Sequence, residues 1–404
     1  MLSVAEANDC VLRRAETRSS SRVSAVDACG LILAEDITSD VDSPPHDKAM
    51  VDGYALTTSD LPHTTTLRVL EEVTAGDVPT LTVVSGTATR IMTGAPIPAG
   101  ADAVVMVEQT RSMTRDNIES VTLDTVALHA GANILPRATS LRRHDVVLSA
   151  GHLIRPIEVG LLAEVGRAEV AVLPPPRVAV LATGNELVPA ADVPAAGQIR
   201  NSNGPLLQAL VARAGGIPLD LGIAPDRSDA LGERIEAGLS GEVLLLSGGV
   251  SAGVLDLVPA ALAAAGVQQV FHKVQLKPGK PLWFGCLIDE SCSRLVFGLP
   301  GNPVSSLVCF ELFVRPAIAK MSGRSEIHPP RREGALTRAH VQRGNRPTYF
   351  PSILSEQAGN LTVEPIDWQG SADQRSLVAA NGLAMFPAGD HDFSPGDLVS
   401  TIPL

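Results

Sequence analysis

The sequence predicts a multidomain α/β plus β protein. It would hold a doubly wound, mostly parallel α/β sheet domain, flanking β domains and a C-terminal β-barrel. Three observations carry this. Residues 177–321 alternate continuous apolar runs with helix-periodic segments, as strands buried on both faces and joined by crossover helices do. Residues 45–145 and 331–404 carry short β-rich runs separated by Gly, Pro, Asp and Thr, as sheets with tight turns do. Prolines at 44–45, 174–176 and 329–330 block helix continuation and set breaks between these regions. A length of 404 residues suits a few domains of ~150 residues each.

Composition narrows the class. Hydrophobic residues are 45% and aromatics only 3%, so the core is built from Ala, Val, Leu and Ile and the chain is not disordered. A net charge of −12 excludes a broad nucleic-acid surface and attraction to anionic lipid. Only five of the 32 basic residues are lysines, and Lys273, Lys277 and Lys280 crowd into one short stretch. The five cysteines show no CxxC and no histidine at zinc spacing, and read as small buried hydrophobes in a reducing compartment. Glu6 and Asp9 stand where a secretory leader would be apolar, and no long apolar run follows. The expected location is therefore the cytoplasm.

The elements follow in order. Residues 3–15 form a helix, because Ser3 and Glu6 make a capping box and Val4, Ala7, Val11, Leu12 and Ala15 repeat at helical spacing. Strands are expected at 67–73, 81–84 and 103–108, then a helix over 157–165. In the α/β region, strands are expected at 178–182, 218–222, 243–246 and 295–297. Helices start at Asn203, at Ser228, near Leu257 and at Asn302-Pro303. Gly215-Gly216 ends the first of these.

Ligands of an open parallel sheet bind at the carboxyl ends of its strands. Three turns rich in glycine and hydroxyls share that edge: Thr183-Gly184-Asn185-Glu186, then 247–253 with Gly248, Gly249 and Ser251, then 298–303 with Pro300 and Asn302. Backbone N–H groups approach a phosphate closely only where no Cβ intervenes. Asp256 follows Ser251 by five residues. A carboxylate beside a phosphate cradle needs a cation between them, and Mg²⁺ held by carboxylate and phosphate oxygens is the usual solution. Lys277-Pro278-Gly279-Lys280-Pro281 holds two ammonium groups on a stiff backbone, a costly arrangement unless an anion binds. Neither GxGxxG nor GxxxxGK[ST] is present, which excludes the usual dinucleotide and P-loop readings. The residues describe a Mg²⁺-dependent enzyme for a phosphorylated or nucleotide-bearing ligand plus a second anion.

At these motifs the chain resembles the molybdopterin molybdenumtransferase family (MoeA and the gephyrin E domain). The strings are DKAMVDGYA (47–55), RIMTGAPIP (90–98), ATGNEL (182–187), LLSGGVSAG (245–253), LKPGKP (276–281), FGLPGNPVSS (297–306) and QGS (369–371). The resemblance implies an elongated first domain (1–43 with 146–176), a β-rich second domain (44–145), an α/β molybdopterin-nucleotide-binding domain (177–328) and a C-terminal β-barrel (329–404). It implies a homodimer that inserts molybdate into the dithiolene of adenylylated molybdopterin with Mg²⁺, releasing AMP. A molybdopterin adenylyltransferase and recipient molybdoenzymes would be its partners. Carried over by residue, Thr183, Gly184, Gly248, Gly249, Ser251, Pro300 and Asn302 would line the nucleotide site. Asp226 and Asp256 would hold Mg²⁺, with Glu186 beside the reacting groups. Lys277, Lys280, Pro281, Ser371 and Arg346 would border molybdate. Asp47, Asp52 and Thr93 would arrive from the partner subunit.

The sequence departs from the family pattern at Asn185, Ser140 and Asn201, where acidic residues are usual. Two further readings follow from this and from the shared α/β unit: a non-catalytic molybdopterin-binding or scaffold member, and a molybdopterin adenylyltransferase.

Overall fold

The structure, a computed structural model, describes residues 1–61, 63–124, 127–249, 257–288 and 293–404. The N-terminal helix Val4–Leu12 carries the expected capping box: Ser3 Oγ accepts the Glu6 N–H at 3.2 Å, and Glu6 Oε2 accepts the Ser3 N–H at 2.8 Å. Its buried face, Ala7 and Val11, packs into the core of the α/β domain, and Asn8 Nδ2 donates to Leu312 O at 3.1 Å.

The next elements build a small domain from distant parts of the chain. Strands Ser21–Ser24 and Ile32–Leu33 flank Glu169–Leu173 in an antiparallel sheet, and Ile37–Thr38 pairs with Val146–Leu148. Leu33, Ile37, Ile154, Leu162 and Val172 form its core. The helix there is Pro156–Glu164, with its proline in the first turn where the missing N–H costs nothing.

Between these halves lies a six-stranded sheet in the order Ala103–Met106, Gly53–Leu56, Thr87–Ile91, Thr66–Val73, Ile118–Leu123, Thr110–Arg115. The run 67–73 is a strand as expected, but 81–84 is not. Its backbone is claimed by other partners: the Glu71 carboxylate accepts the Thr80 and Leu81 N–H groups at 3.0 and 2.8 Å, and Ala99 O accepts the Val83 N–H at 2.8 Å. The run 103–108 is a strand only to Met106, followed by the 3₁₀ turn Val107–Gln109.

The central sheet runs Ile217–Ala224, Arg177–Thr183, Val243–Ser247, Ser293–Leu299, Trp283–Ile288, Gln268–His272. The first four strands are parallel and the last two antiparallel. Leu244, Leu245 and Leu246 are each at most 1% exposed, which is why this strand reads as one apolar run rather than an alternation. Helices Asn203–Arg213 and Pro303–Cys309 cover one face, and Ser228–Gly238 and Val258–Ala264 cover the other. The last helix continues through a π-helical turn, Phe310–Val314, into Arg315–Met321. In register, Thr183 meets Ala224, and Ser247 meets Ala182 and Leu299, so the four parallel strands finish beside one another.

The C-terminal region closes into a five-stranded barrel of Arg332–Leu336, Asn360–Pro365, Thr348–Gln357, Gly382–Phe386 and Leu398–Pro403. Val363, Ala384 and Phe386 fill it. Among the described residues, no helix is long and apolar enough to cross a membrane.

Candidate active site

The strand ends present the expected glycine turns, and backbone geometry explains the glycines. Gly248 has φ +95°, and a Cβ there would sit 2.7 Å from Thr183 O. Gly249 has φ +64°, with Val258 Cγ2 at 2.6 Å and Thr183 Oγ1 at 2.9 Å from the same hypothetical atom. At Gly184, φ is +149° and a Cβ would meet the Glu186 carboxylate at 2.5 Å. Each position needs both a left-handed backbone and the absence of a side chain.

Around these turns lies a cleft of about 300 Å³ lined by Thr183, Glu186, Asn203, Ser247, Gly248 and Asn302, among others. The sequence reading placed Asn203 only at a helix start, but it is a site residue. Its side chain is buried, and Nδ2 donates to Ser247 Oγ at 2.8 Å and to Gly301 O at 2.6 Å. Its Oδ1 has no hydrogen-bond partner among the described residues. Asn203 lines the polar cleft, so its unpaired buried oxygen is a candidate acceptor for a ligand donor. Nothing in the sequence distinguishes it from an ordinary helix-start asparagine, because its role depends on a contact 98 residues away.

Two of the three departures from the family pattern, Asn201 and Asn185, make defined bonds. Asn201 Oδ1 accepts the Gly204 N–H at 2.9 Å and so caps the first turn of Asn203–Arg213, which an aspartate also does. Asn185 and Asp226 bond reciprocally: Asn185 Oδ1 accepts the Asp226 N–H at 3.0 Å, and Asp226 Oδ2 accepts the Asn185 N–H at 3.3 Å. The third, Ser140, lies in the second region, where its N–H donates to Ser43 O at 2.9 Å. Ser251 and Asp256 lie outside the described residues. Among the described residues no group of three His, Cys, Asp or Glu side chains gathers at metal-binding distance.

A second cleft, about 520 Å³, opens beside the first and is lined by Lys277, Lys280, Pro281, Pro300, Asn302, Arg346 and Ser371, with Phe350 and Trp368 as an aromatic wall. The lysine loop is stitched to the barrel. Lys277 N–H donates to Pro347 O at 3.0 Å, Tyr349 N–H donates to Lys277 O at 2.8 Å, and Arg346 Nη1 donates to Leu276 O at 2.9 Å. Gly279 has φ +118°, and a Cβ there would lie 2.7 Å from Cys309 Sγ. The Cys309 thiol donates to Gly279 O at 3.6 Å, and full burial pushes its pKa far above the ordinary thiol value. Cys309 and Cys286 are buried as the sequence predicted for the cysteines, but Cys29 is exposed and Cys10 only partly buried, so the expectation fails for those two. Lys273 belongs to the compositional cluster but not to the lining of this cleft.

Asn302 lines both clefts. Its Nδ2 donates to Ser371 Oγ at 2.9 Å, and Ser371 O accepts the Val304 N–H at 3.2 Å. Asp47, Asp52 and Thr93 line neither cleft in this chain. They are nevertheless organised. Asp52 Oδ1 accepts both the N–H and the hydroxyl of Thr93 at 2.7 Å, which holds the Asp52 carboxyl below its usual range. Asp47 Oδ1 accepts the Arg137 N–H at 2.7 Å.

Comparison with known proteins matches this arrangement along the whole chain. Residues 2–166 match the MoeA N-terminal region (domain I and II), 179–320 a probable molybdopterin binding domain, and 333–404 the MoeA C-terminal region (domain IV). The molybdopterin molybdenumtransferase of Staphylococcus aureus strain MRSA252 is 33% identical over 410 residues, covering 99% of this chain and 95% of its own. The chain belongs to the molybdopterin molybdenumtransferase family. As a family member it is an enzyme of molybdenum cofactor biosynthesis. The Staphylococcus epidermidis enzyme of the same name is 32% identical over 416 residues, with 99% and 95% coverage. The fold agrees. A molybdopterin biosynthesis MoeA protein from Pyrococcus horikoshii superposes with TM-score 0.84 at 27% identity, covering 100% of this chain and 99% of that one. The structure of a molybdopterin biosynthesis MoeA protein from Pyrococcus horikoshii OT3 gives TM-score 0.78 at 29% identity, with full coverage of both chains. The fold class and family resemblance expected from the sequence are both borne out.

Proposed function

We propose that this family member inserts molybdate into the dithiolene of adenylylated molybdopterin in a Mg²⁺-dependent reaction that releases AMP. The observation that carries the reading is the adjacency of the two clefts across Asn302. One offers glycine turns and an orphaned amide oxygen, suited to a phosphorylated pterin nucleotide. The other offers Lys277 and Lys280, suited to an oxyanion. Molybdate is a dianion, so two ammonium groups match its charge. The pterin brings the sulphur ligands, so a buried, protonated Cys309 is no obstacle.

The chain's own residues then divide the work. Gly248 and Gly249, with Thr183 and Gly184, let the nucleotide phosphates approach the backbone, Ser251 contributing beside them. Asn203 Oδ1 accepts a donor of the ligand. Lys277 and Lys280 hold the oxyanion, with Pro281 bordering it. Ser371 and Arg346 close the barrel side, and Asn302 with Pro300 keeps the two ligands in register. Glu186, on the wall of the first cleft, is the acid or base of this reading. Mg²⁺ prefers one or two carboxylates and completes its shell with phosphate oxygens. Asp226 fits that donor set, because Asn185 bonds only one of its oxygens through a 3.3 Å contact. Asp226 would hold Mg²⁺ together with Asp256. The ion would neutralise phosphate charge there.

The reading extends to architecture. The division is 1–43 with 146–176, its N-terminal helix Val4–Leu12 packing on the α/β domain, then 44–145, 177–328 and 329–404. The active unit is a homodimer in which Asp47, Asp52 and Thr93 of one chain face the clefts of the other, consistent with their absence from the clefts of their own chain. A molybdopterin adenylyltransferase would supply the substrate and molybdoenzymes would receive the product in the cytoplasm. The test mixes purified protein, adenylylated molybdopterin, Mg²⁺ and molybdate. Molybdate-dependent AMP release supports the reading, and its absence refutes it. AMP release that proceeds without Mg²⁺ refutes the metal part alone.

A further inference from the structure

A third cleft, of about 280 Å³, lies away from both of these and carries three arginines: Arg213, Arg315 and Arg324. Its walls come from separate parts of the fold. Ile32 and Leu153 belong to the small N-terminal sheet domain, Arg213 and Arg315 to helices of the α/β domain, and Arg324 and His328 to the segment leading into the barrel. The joint between them is tight: at Gly323, φ +73°, a Cβ would lie 2.1 Å from Leu173 Cδ1.

The charges do not balance. Arg213 and Arg315 share a single carboxylate, the fully buried Glu311. Arg213 Nη2 bonds its Oε1, and Arg315 Nη1 bonds its Oε2 at 2.8 Å. Glu311 is not among the residues that line the cleft, and Glu326, an exposed residue of the rim, is the one acid among those that do. Arg324 makes no ion pair among the described residues, and its Nε is buried without a hydrogen-bond partner. A buried guanidinium donor left unpaired is costly, and such groups are nearly always satisfied. Guanidinium forks are matched to phosphate and carboxylate oxygens more closely than ammonium groups are. The volume is at the small end of ligand sites, so the missing partner is small.

We propose that this cleft binds a phosphate group, with Arg324 as the principal donor and Arg213 and Arg315 as supporting charge. The group bridges the small sheet domain and the α/β domain. Two sources share this chemistry, inorganic phosphate and a phosphomonoester such as AMP. The proposal is independent of the reaction proposed above, because the cleft shares no lining residue with the other two.

The test is calorimetric titration of inorganic phosphate, and separately of AMP, into the full-length protein at fixed ionic strength. The variants are Arg324→Gln, Arg324→Lys and Lys280→Ala, each checked for folding by circular dichroism. The expected result is a phosphate site that Arg324→Gln weakens about tenfold or more, Arg324→Lys weakens less, and Lys280→Ala leaves in place. Should Arg324→Gln fail to fold, the Arg324→Lys comparison decides. Binding of AMP but not phosphate through Arg324 assigns the site to an ester. The proposal is overturned if neither ligand binds, if binding ignores both Arg324 variants, or if Lys280→Ala abolishes all of it.

Discussion

Asn302 donates its side-chain N–H to Ser371 Oγ at 2.9 Å. This bond ties the turn after the last parallel strand, Ser293–Leu299, to the segment between two barrel strands, at the one residue among those described that lines both clefts. The two clefts are therefore tied together by a contact between residues 69 positions apart.

Removing that bond should cost rate without unfolding the protein. Asn302→Ala and Ser371→Ala are each expected to slow AMP release about tenfold. In a double-mutant cycle the pair should couple by about 0.5–1.5 kcal/mol, the worth of an ordinary hydrogen bond. Strictly additive losses would show that the two side chains act separately.

Gly279 shapes the lysine loop by having no side chain. Its Cβ would meet Cys309 Sγ at 2.7 Å and Leu276 Cδ2 at 2.8 Å, and its φ is +118°. Gly279→Ala should destabilise the protein by about 1–3 kcal/mol through overpacking and backbone strain, read from urea denaturation. Molybdate binding should weaken with it, since Lys277 and Lys280 flank the displaced residue. Adding Cys309→Ala should recover part of the stability, because it removes one of the two clashes. No recovery would put the cost in the backbone and the Leu276 contact.

The partner-subunit role of Asp52 predicts complementation. Asp52→Ala and Lys280→Ala should each inactivate the homodimer. A mixed dimer of the two variants should regain activity, since one of its two sites then has both residues intact. The readout is AMP release after the two proteins are unfolded and refolded together. A mixture no more active than its components would place Asp52 outside the site.

Glu158 supplies a pH signature in the small sheet domain. Hydrogen bonds from the Arg155 side chain, with smaller help from His152, lower its pKa from 4.5 to about 2. A carboxylate depressed in the folded state stabilises the protein fully above its unfolded pKa, and that contribution is lost as pH falls toward the folded value. The Tm gap between wild type and Glu158→Gln should therefore be widest above pH 4.5 and shrink between there and about pH 2. A gap that holds constant across this window would mean the side chain acts through shape and not through charge.

Much of this was legible residue by residue. The apolar run 243–246 announced a strand buried on both faces, and the Ser3–Glu6 box announced a helix start. The glycine turns and the lysine loop stood out because glycine and lysine do chemistry that few other residues replace at those positions. Elements set by distant partners were not legible. The run 81–84 has strand-like residues, yet Glu71 and Ala99 claim its backbone donors. Asn203 looks like any helix-start asparagine until Ser247 and Gly301 are seen against its amide.

By itself, the sequence determined the local conformations, the α/β plus β class and the chemical character of each turn, because these follow from periodicity, capping and the special backbones of glycine and proline. The tertiary structure alone decided which turns meet. It put Asn302 against Ser371, turned the lysine loop onto the barrel and gathered Arg213, Arg315 and Arg324 around one cleft. It also left Asp47, Asp52 and Thr93 away from their own chain's clefts. The reason is physical: side-chain identity is a local property, whereas a site depends on closing loops of tens to hundreds of residues, which only the summed packing of the cores can specify.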